Sequence, residues 1–315
     1  MNTADGQPQS GCTSRRALLA AGGAAATVLA GCLGGDDDRV RVLSAGSLAV
    51  VLEDHVGPAF TAETGTGYEG EYHGSNIVMR MIEDGTKHPD VAISADVELL
   101  RDRLYTEHAD WDVEFAANEV GIAYEPSTEL GRRLDDDEPW YEVLADADAG
   151  ELAISDPDLD PLGYRAVQLF ELAESTYELD GFRTAMVDRA YHEPDEPSLL
   201  AGIEAGDRAC AIAYRNMAVD HEIPFLELPD TYNFASPEYA DVYEQASYTT
   251  EGGYTVTGTP VSYNATVRTD ADEPEAGRAF VEFLLESSDL LADHGLVVPE
   301  TLPRSYGDPP ADLDR

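Results

Sequence analysis

Two short turns in the sequence combine residue types that can bind an anion. Ser47, in "SAGSL", and Ser75, in "YHGSN", each follow a glycine between a predicted strand and a predicted helix. A serine that caps the start of a helix leaves neighbouring backbone N–H groups unpaired, and the helix dipole adds partial positive charge there. Each turn is therefore either an ordinary helix cap or part of an oxyanion site. Because the two turns occur in adjacent strand–helix units, they can face one crevice.

A third segment, "SDPDLDPLGYR", places acids in front of a predicted helix, where an anion site would be expected. Its carboxylates are Asp156, Asp158 and Asp160, and Arg165 is its one basic residue. Asp-Pro pairs are common in turns. Asp160 is therefore either a turn-forming residue or a binding residue. Composition alone does not explain why acids gather at a place suited to anions.

The composition predicts a folded protein with a strongly acidic surface. Asp and Glu number 63 against 19 Lys and Arg, for a net charge of −44, and Lys87 is the single lysine. A hydrophobic fraction of 43% argues against a disordered acidic chain. The surface fits a halophilic host, where salt screens self-repulsion, and an acidic protein of ordinary habitat is the alternative. Either surface repels nucleic acid, which excludes it as a partner.

The N-terminal segment predicts export and anchoring. Arg15 and Arg16 precede an apolar, Ala-rich run that ends in "LAGC" at Cys32. Paired arginines before such a run are typical of a twin-arginine signal peptide, here residues 1–31. The ending resembles the lipobox of secreted lipoproteins, so we expect lipid on Cys32 and a tether over residues 32–39. A transmembrane anchor is the alternative, and both place the folded part at the outer face of the membrane.

The rest of the chain predicts an α/β protein. Strands such as "VRVLSAG", "PDVAISAD" and "ELAIS" alternate with amphipathic helices such as "GSNIVMRMIEDG" and "GYRAVQLFELAEST". This alternation indicates mostly parallel, doubly wound sheets. Residues 230–253 are rich in tyrosine and irregular, and they are followed by the β-rich run "GYTVTGTPVSYNATVRT" and a closing helix, "PEAGRAFVEFLLESS".

Several of these segments, in this order, resemble the molybdate/tungstate-binding proteins of archaeal ABC importers. They include "LSAGSLAVVLEDHVGPAF", "GEYHGSNIVMRMIEDGTKHPDVAISAD", "SDPDLDPLGYRAVQL" and "AIAYRNMAVDHEIPFLELPD". The resemblance implies the two-lobed periplasmic-binding-protein fold of the second type, with the ligand in the cleft between the lobes. It implies an ABC permease and its ATPase subunits as partners, and no cofactor. The implied divisions are a first lobe over 40–123 and 228–302, a second lobe over 124–227 and a C-terminal tail over 303–315.

The resemblance also implies the site residues. Ser47 and Ser75 match the first-lobe serines that bind the oxyanion, with help from the Tyr214 hydroxyl and the Leu162 backbone N–H. Two second-lobe carboxylates bind the molybdenum or tungsten atom directly, and hard oxygen donors suit such a centre. The implied carboxylate ligands are Asp160 and Glu196, with Glu193 and Asp195 as neighbouring acids that could replace Glu196.

This arrangement explains the acids in the anion-binding region. A carboxylate repels an oxyanion unless it reaches the central atom. Sulfate and phosphate have no central atom that readily accepts two further ligands. The acids would therefore act as a filter, and Ser47 and Ser75 alone would serve equally well in a receptor for another oxyanion.

Other functional classes fit the sequence less well. A receptor for sulfate or thiosulfate shares the expected fold but gains nothing from Asp160 and Glu196. A ferric-ion receptor would favour paired tyrosines and a histidine at the site, whereas most tyrosines lie over 230–263. A secreted hydrolase is the enzymatic alternative, but the sequence has no Gly-x-Ser-x-Gly and no His-Glu-x-x-His, and its seven histidines lack ligand spacing. We therefore predict a binding protein and not an enzyme.

Overall fold

The structure is a computed structural model, and it describes residues 39–314. The predicted signal peptide 1–31, the predicted lipidation site Cys32 and most of the predicted tether 32–39 lie outside these residues. Within 39–314, no helix has both the length and the apolar character needed to span a bilayer.

The first lobe is built on a six-stranded sheet. Its strands are β1 (Arg39–Ala45), β2 (Gly67–His73), β3 (Val91–Ser94), β4 (Trp111–Ala117), β12 (Ser262–Val267) and β13 (Arg304–Gly307). Their order across the sheet is β13-β4-β12-β3-β1-β2. The β2, β1 and β3 strands run parallel, as the strand–helix alternation predicts. The β4, β12 and β13 strands pair in antiparallel fashion, because the chain leaves this lobe after β4 and returns before β12.

The second lobe has a five-stranded sheet of the same mixed kind. Its strands are β5 (Val120–Tyr124), β6 (Leu152–Ser155), β7 (Tyr191–Glu193), β8 (Cys210–Tyr214) and β9 (Phe225–Leu226). The order is β7-β6-β8-β5-β9, with β7, β6 and β8 parallel and β5 antiparallel to both of its neighbours. The chain crosses between the lobes at Asn118–Glu119. Strand β5 therefore lies in the second sheet, whereas the sequence-based expectation places residues up to 123 in the first lobe.

Helices cover the sheets of both lobes. The helices that follow first-lobe strands are α1 (Gly57–Thr64), α2 (Ser75–Glu83), α3 (Val97–Leu104), α11 (Pro274–Glu286) and α12 (Ser288–Asp293). The helices of the second lobe are α4 (Glu129–Asp135), α5 (Trp140–Ala145), α6 (Pro161–Tyr177), α7 (Phe182–Arg189), α8 (Glu196–Glu204) and α9 (Arg215–Asp220). A short helix, α10 (Ala240–Tyr243), and a hairpin of β10 (Ser247–Thr249) and β11 (Thr255–Thr257) complete the fold.

The helix predicted after β1 is not regular. The chain forms a 3-10 turn over Gly46–Leu48 and a π-helical segment over Val51–Val56 before α1 begins. Pro58 has no N–H to donate to the carbonyl of residue 54, and its ring crowds that carbonyl, so the α-helical spacing is interrupted there. Leu52, Val56 and Phe60, which are spaced four residues apart on one face, are nevertheless inaccessible to solvent.

Two parts of the first sheet differ from the sequence-based expectation. Strand β4 was not predicted, because Asp112 and Glu114 interrupt its apolar pattern. Both acids are buried, and Arg101 pairs with each of them, at 2.9 Å and 3.0 Å. The segment 303–315, expected to be a tail, supplies β13 at the outer edge of β4, where Arg304 also pairs with Glu114 at 2.8 Å. The ion pairs from Arg101 of α3 and from Arg304 of β13 make these polar segments compatible with strands.

Candidate functional site

The Ser47 turn of the first lobe directly contacts an acid of the second lobe. The backbone N–H of Ser47 donates to Oε2 of Glu196 at 2.7 Å, and its Oγ hydrogen-bonds the Tyr263 hydroxyl at 3.0 Å. A Cβ on Gly46 would lie 2.6 Å from the same Glu196 oxygen, so glycine permits this close approach. Ala45 holds the helix-cap position, and no side chain caps the turn. Of the two alternatives for Ser47, the structure does not show the helix cap, because its side chain turns towards Tyr263.

The Ser75 turn lies against the acidic loop of the second lobe. A Cβ on Gly74 would meet the Leu159 carbonyl oxygen at 2.4 Å and the Asp160 Cβ at 3.1 Å. Gly74 is the cap residue of α2, so the structure does not show the helix-cap alternative for Ser75 either. The fully buried Ser75 Oγ instead accepts a hydrogen bond from the Ala95 N–H at 3.0 Å.

Asp160 is held at the start of α6 with one oxygen left over. It caps the helix, and its Oδ1 accepts from the Leu162 N–H at 2.6 Å. Pro161 has no N–H to offer, so Leu162 is the first residue of the helix that can donate. The other oxygen, Oδ2, is buried and has no hydrogen-bond partner among the described residues. The Leu162 N–H, expected to contact the oxyanion, thus orients the carboxylate in this structure.

Glu196 is the first residue of α8 and also has one unpaired oxygen. While its Oε2 accepts from Ser47, its Oε1 is buried with no partner among the described residues. The other two acids weighed for this position are engaged elsewhere. Asp195 caps α8 by accepting from the Ser198 N–H at 2.9 Å, and Glu193 lies 3.7 Å from Arg208. Of the three acids, Glu196 is the one that the fold places against a serine turn.

The Asp160 and Glu196 carboxyl groups form an interacting pair with little access to water. Their residues are 0% and 1% exposed. Burial raises the pKa of Asp160, while the N–H groups of Leu162 and Gly163 oppose the shift. Burial also raises the pKa of Glu196 well above the usual range, and the Asp160 charge raises it further. Buried carboxylate oxygens that no donor contacts are costly unless a cation-like centre or a proton satisfies them.

Tyr214 borders the pair from the end of β8. Its hydroxyl accepts a hydrogen bond from Nη1 of Arg165 at 2.8 Å, which leaves the hydroxyl proton available for a further acceptor. The side chain is fully buried, and the charges of Glu196 and Asp160 contribute to the raised pKa of Tyr214, after the larger effect of burial. The sequence-predicted residues Ser47, Asp160, Glu196 and Tyr214 are thus brought together between the lobes, with Ser75 against the Asp160 loop.

A second group of polar residues supports the Ser47 turn and was missed by the sequence analysis. Asn118 donates through Nδ2 to Oδ1 of Asn216 at 2.7 Å and to the Tyr263 hydroxyl at 3.0 Å. Asn216 in turn donates to the Ser47 carbonyl oxygen at 2.6 Å. Asn118 and Asn216 lie just after β4 and just after β8, and polar residues at strand ends often line a cleft. This position is the sequence feature that could have identified them. The closed ring of hydrogen bonds fixes the Ser47 turn relative to the chain crossover.

With this geometry established, comparison with known proteins defines the family. The profile described as bacterial extracellular solute-binding protein matches residues 40–297. The chain belongs to this family. The two-lobed arrangement of the structure is the one expected for such a binding protein, in which the cleft between lobes holds the solute. The predicted absence of enzymatic activity agrees with a family of transport proteins.

Relatives of this solute-binding protein extend over nearly its whole length. A solute-binding protein of Halobacterium salinarum is 49% identical, covering 96% of this chain and 98% of the relative. A Haloferax volcanii protein, provisionally named as a molybdenum-binding protein of an ABC transporter, is 40% identical. The match covers 95% of this chain and 97% of the relative. A molybdate/tungstate-binding protein of Pyrococcus abyssi is 29% identical, and the match covers 82% of this chain and 85% of the relative.

Solved structures support the fold of this solute-binding protein. The periplasmic molybdate-binding protein of Azotobacter vinelandii superposes with a TM-score of 0.62 at 15% identity, covering 83% of this chain and all of that one. The sulfate-binding protein of Mycobacterium tuberculosis superposes with a TM-score of 0.57 at 12% identity, covering 83% of this chain and 87% of that one. At such identities the comparison establishes the periplasmic-binding-protein fold. The identity of the ligand has to be argued from the residues of the site.

The buried acid pair predicts that closure of the solute-binding protein without ligand depends on pH. In an open form, both carboxyls are hydrated and titrate near the usual value of about 4. In the closed form, burial raises the pKa of Asp160 to about 7. Protonation therefore favours the closed form, and this contribution is lost as the pH rises through the raised value. We expect small-angle scattering at constant high salt to give a smaller radius of gyration at about pH 5 than at about pH 8.

The Asp160→Asn variant is the control, because it removes one titrating group from the pair. Its radius of gyration should vary less with pH than that of the parent. An equal response in the two proteins would show that other groups control closure.

Proposed function

We propose that this solute-binding protein captures molybdate or tungstate outside the cell for an ABC importer. One observation carries the proposal. Oδ2 of Asp160 and Oε1 of Glu196 are buried and accept from no donor among the described residues, and the two carboxyl groups interact with each other. Four oxo groups and two carboxylate oxygens would give the metal six ligands, and a hard, high-valent centre favours oxygen donors. The metal centre of the ligand would thus bind the two carboxylate oxygens to which no donor among the described residues hydrogen-bonds.

Electrostatics favours this ligand over a simple tetrahedral anion. Two like charges about 4 Å apart repel by about 4 kcal/mol at an effective dielectric of 20. That is on the order of a thousandfold in affinity. An oxyanion whose central atom cannot accept the carboxylates would meet this repulsion without compensation. Molybdate and tungstate offset it through two metal–oxygen bonds, so the acid pair acts as a selectivity filter.

The remaining residues would serve the oxo groups. We assign hydrogen-bond donation to the Ser47 and Ser75 hydroxyls and to the Tyr214 hydroxyl, whose proton Arg165 does not use. Leu162 contributes by orienting Asp160 through its N–H. The names of the Haloferax and Pyrococcus relatives support a molybdenum or tungsten ligand.

Sulfate or thiosulfate is the second candidate ligand. The sulfate-binding protein of Mycobacterium tuberculosis shares the fold, so the fold is equally compatible with this ligand. The buried carboxylates oppose it, because such a site would hold a dianion against two acids.

An oxyanion panel tests the proposal. A ligand that binds only the folded state adds about 2.7 kcal/mol of stability at a concentration of a hundred times its Kd. We expect molybdate and tungstate to raise the melting temperature in high salt, and sulfate, thiosulfate and phosphate to leave it unchanged at equal concentration and ionic strength. A shift with sulfate alone would contradict the proposed ligand.

The N-terminal sequence extends the proposal to location and partners. We propose that Cys32 carries lipid after removal of residues 1–31 and anchors the protein at the outer face of the membrane, where it meets the permease. A Cys32→Ser variant should then appear in the soluble fraction or remain unprocessed. Cys210, which lies buried in β8, gives the matched control as Cys210→Ser. Membrane retention of the Cys32→Ser protein at unchanged mass would count against lipidation.

A further inference from the structure

A first-lobe carboxylate, Asp96, is bound by two neighbouring side chains of the second lobe. Asp96 caps α3, and its Oδ1 accepts from the Leu99 N–H at 3.1 Å. Its Oδ2 accepts from the Tyr164 hydroxyl and lies 3.5 Å from Nη2 of Arg165. All three polar side chains are nearly excluded from solvent, with residue exposures of 3% for Asp96, 0% for Tyr164 and 1% for Arg165.

Arg165 makes contacts in both lobes. Its Nη1 donates to the carbonyl oxygen of Ala95 in the first lobe at 3.0 Å and to the Tyr214 hydroxyl in the second lobe at 2.8 Å. A guanidinium group suits such a role, because its fixed planar donors can satisfy several acceptors at once. The contact with Tyr214 can persist when the lobes separate, whereas the contacts with Ala95 and Asp96 require the lobes to be together.

The same residues connect to both halves of the candidate binding site. Tyr164 and Arg165 lie in the helix turn that begins with Asp160. Ala95, whose carbonyl oxygen accepts from Arg165, donates its N–H to Oγ of Ser75. One set of contacts therefore runs from the acidic loop of the second lobe to the serine turn of the first.

We propose that Asp96, Tyr164 and Arg165 form a closure latch that holds the lobes together when an anion is bound. The three residues are positioning residues, because they act on the ligand through Asp160 and Ser75. A ligand shifts the equilibrium towards closure only through contacts that differ between the open and closed forms. The latch supplies such contacts in addition to those of the ligand itself. Its role does not depend on which oxyanion binds, although it rests on the proposed binding of an oxyanion between the lobes.

Two variants break the latch without disturbing the site directly. Tyr164→Phe removes the hydroxyl and keeps the ring. Asp96→Asn removes the charge, while asparagine can still cap α3 through its oxygen. Losing a hydrogen bond to a charged group should weaken oxyanion binding by about tenfold to a hundredfold. Tyr124→Phe is the matched control, because the Tyr124 hydroxyl also bonds an aspartate, Asp135, but within the second lobe.

The experiment combines calorimetry, small-angle scattering and thermal unfolding on the parent and the three variants in high salt. We expect weaker binding for Tyr164→Phe and Asp96→Asn, together with a larger radius of gyration at a ligand concentration that closes the parent. The melting temperature of the ligand-free protein should change no more than in Tyr124→Phe. A purely structural cluster would instead lower the melting temperature of the free protein and leave the bound radius of gyration unchanged.

The outcomes separate the latch from the proposed ligand. Molybdate is the first probe, and the parent is also titrated with sulfate. If the parent binds sulfate and not molybdate, the proposed ligand is wrong, and the latch variants are then compared with sulfate. Unchanged affinity and unchanged closure in both latch variants, with whichever anion the parent binds, would overturn the latch.

Discussion

Asp160→Asn and Glu196→Gln are each expected to weaken molybdate and tungstate binding on the order of a hundredfold or more. Changing groups that only support a ligand already costs about tenfold to a hundredfold in metal sites, so replacing a ligand should cost at least as much. The amide keeps the shape of the side chain but is a poorer donor to a hard centre. Calorimetry at fixed high salt measures the effect directly.

The sign of the change identifies the mechanism. If the anion were bound by hydrogen bonds alone, removing a buried negative charge would strengthen its binding, because repulsion of the dianion would fall. Equal or tighter binding of molybdate by both variants would therefore exclude coordination. It would also leave Asp160 as a helix cap and Glu196 as an acceptor for the Ser47 N–H.

Three further variants serve as controls for position. Ser47→Ala and Ser75→Ala should weaken binding under either mechanism, because both would remove a hydroxyl donor. Glu193→Gln should have little effect, since Glu193 lies beside Arg208 and not against a serine turn. This last variant also tests which acid of the segment before α8 is the second ligand.

The folded state is expected to be lost when salt is diluted from molar concentration to about 0.1 M. The net charge of −44 produces strong self-repulsion, and the screening length grows from about 3 Å at 1 M to about 10 Å at 0.1 M. Circular dichroism at stepwise lower potassium chloride, without ligand, follows the transition.

Two comparisons distinguish charge screening from a general effect of cosolutes. Sucrose stabilises folded proteins by exclusion from their surface but does not screen charge, so it should not replace the salt. A variant with Glu63→Gln, Glu107→Gln and Glu286→Gln removes three exposed acids and should stay folded at lower salt than the parent. Full stability of the parent in dilute buffer would contradict a halophilic protein.

Local patterns in the sequence were sufficient to predict most of the parallel elements. Strand–helix alternation predicted β1, β3 and β6, because each contains an apolar run that marks a buried strand without reference to the rest of the fold. The solute-binding class followed from recognising these segments in order, and the family comparison confirms it. The binding roles of the site residues stay predictions.

Elements that depend on distant partners were not predictable in the same way. Strand β4 carries Asp112 and Glu114, whose burial is favourable because Arg101 pairs with both acids and Arg304 pairs with Glu114. Strand β13 has a polar sequence and becomes a strand because β4 offers it an edge. Neither partner is adjacent in the sequence, so no local pattern marks these segments.

The sequence by itself determined the residue types of the site: two Gly-Ser turns and acids in front of two helices. Only the tertiary structure decided which acid faces which turn. The resemblance implies Glu196 with Glu193 and Asp195 as alternatives, and in the structure the cap at Asp195 fixes the start of α8 and directs Glu196 towards the Ser47 N–H. The structure also decided that Asp96 meets Tyr164 and Arg165, because that contact forms only where the two lobes come together.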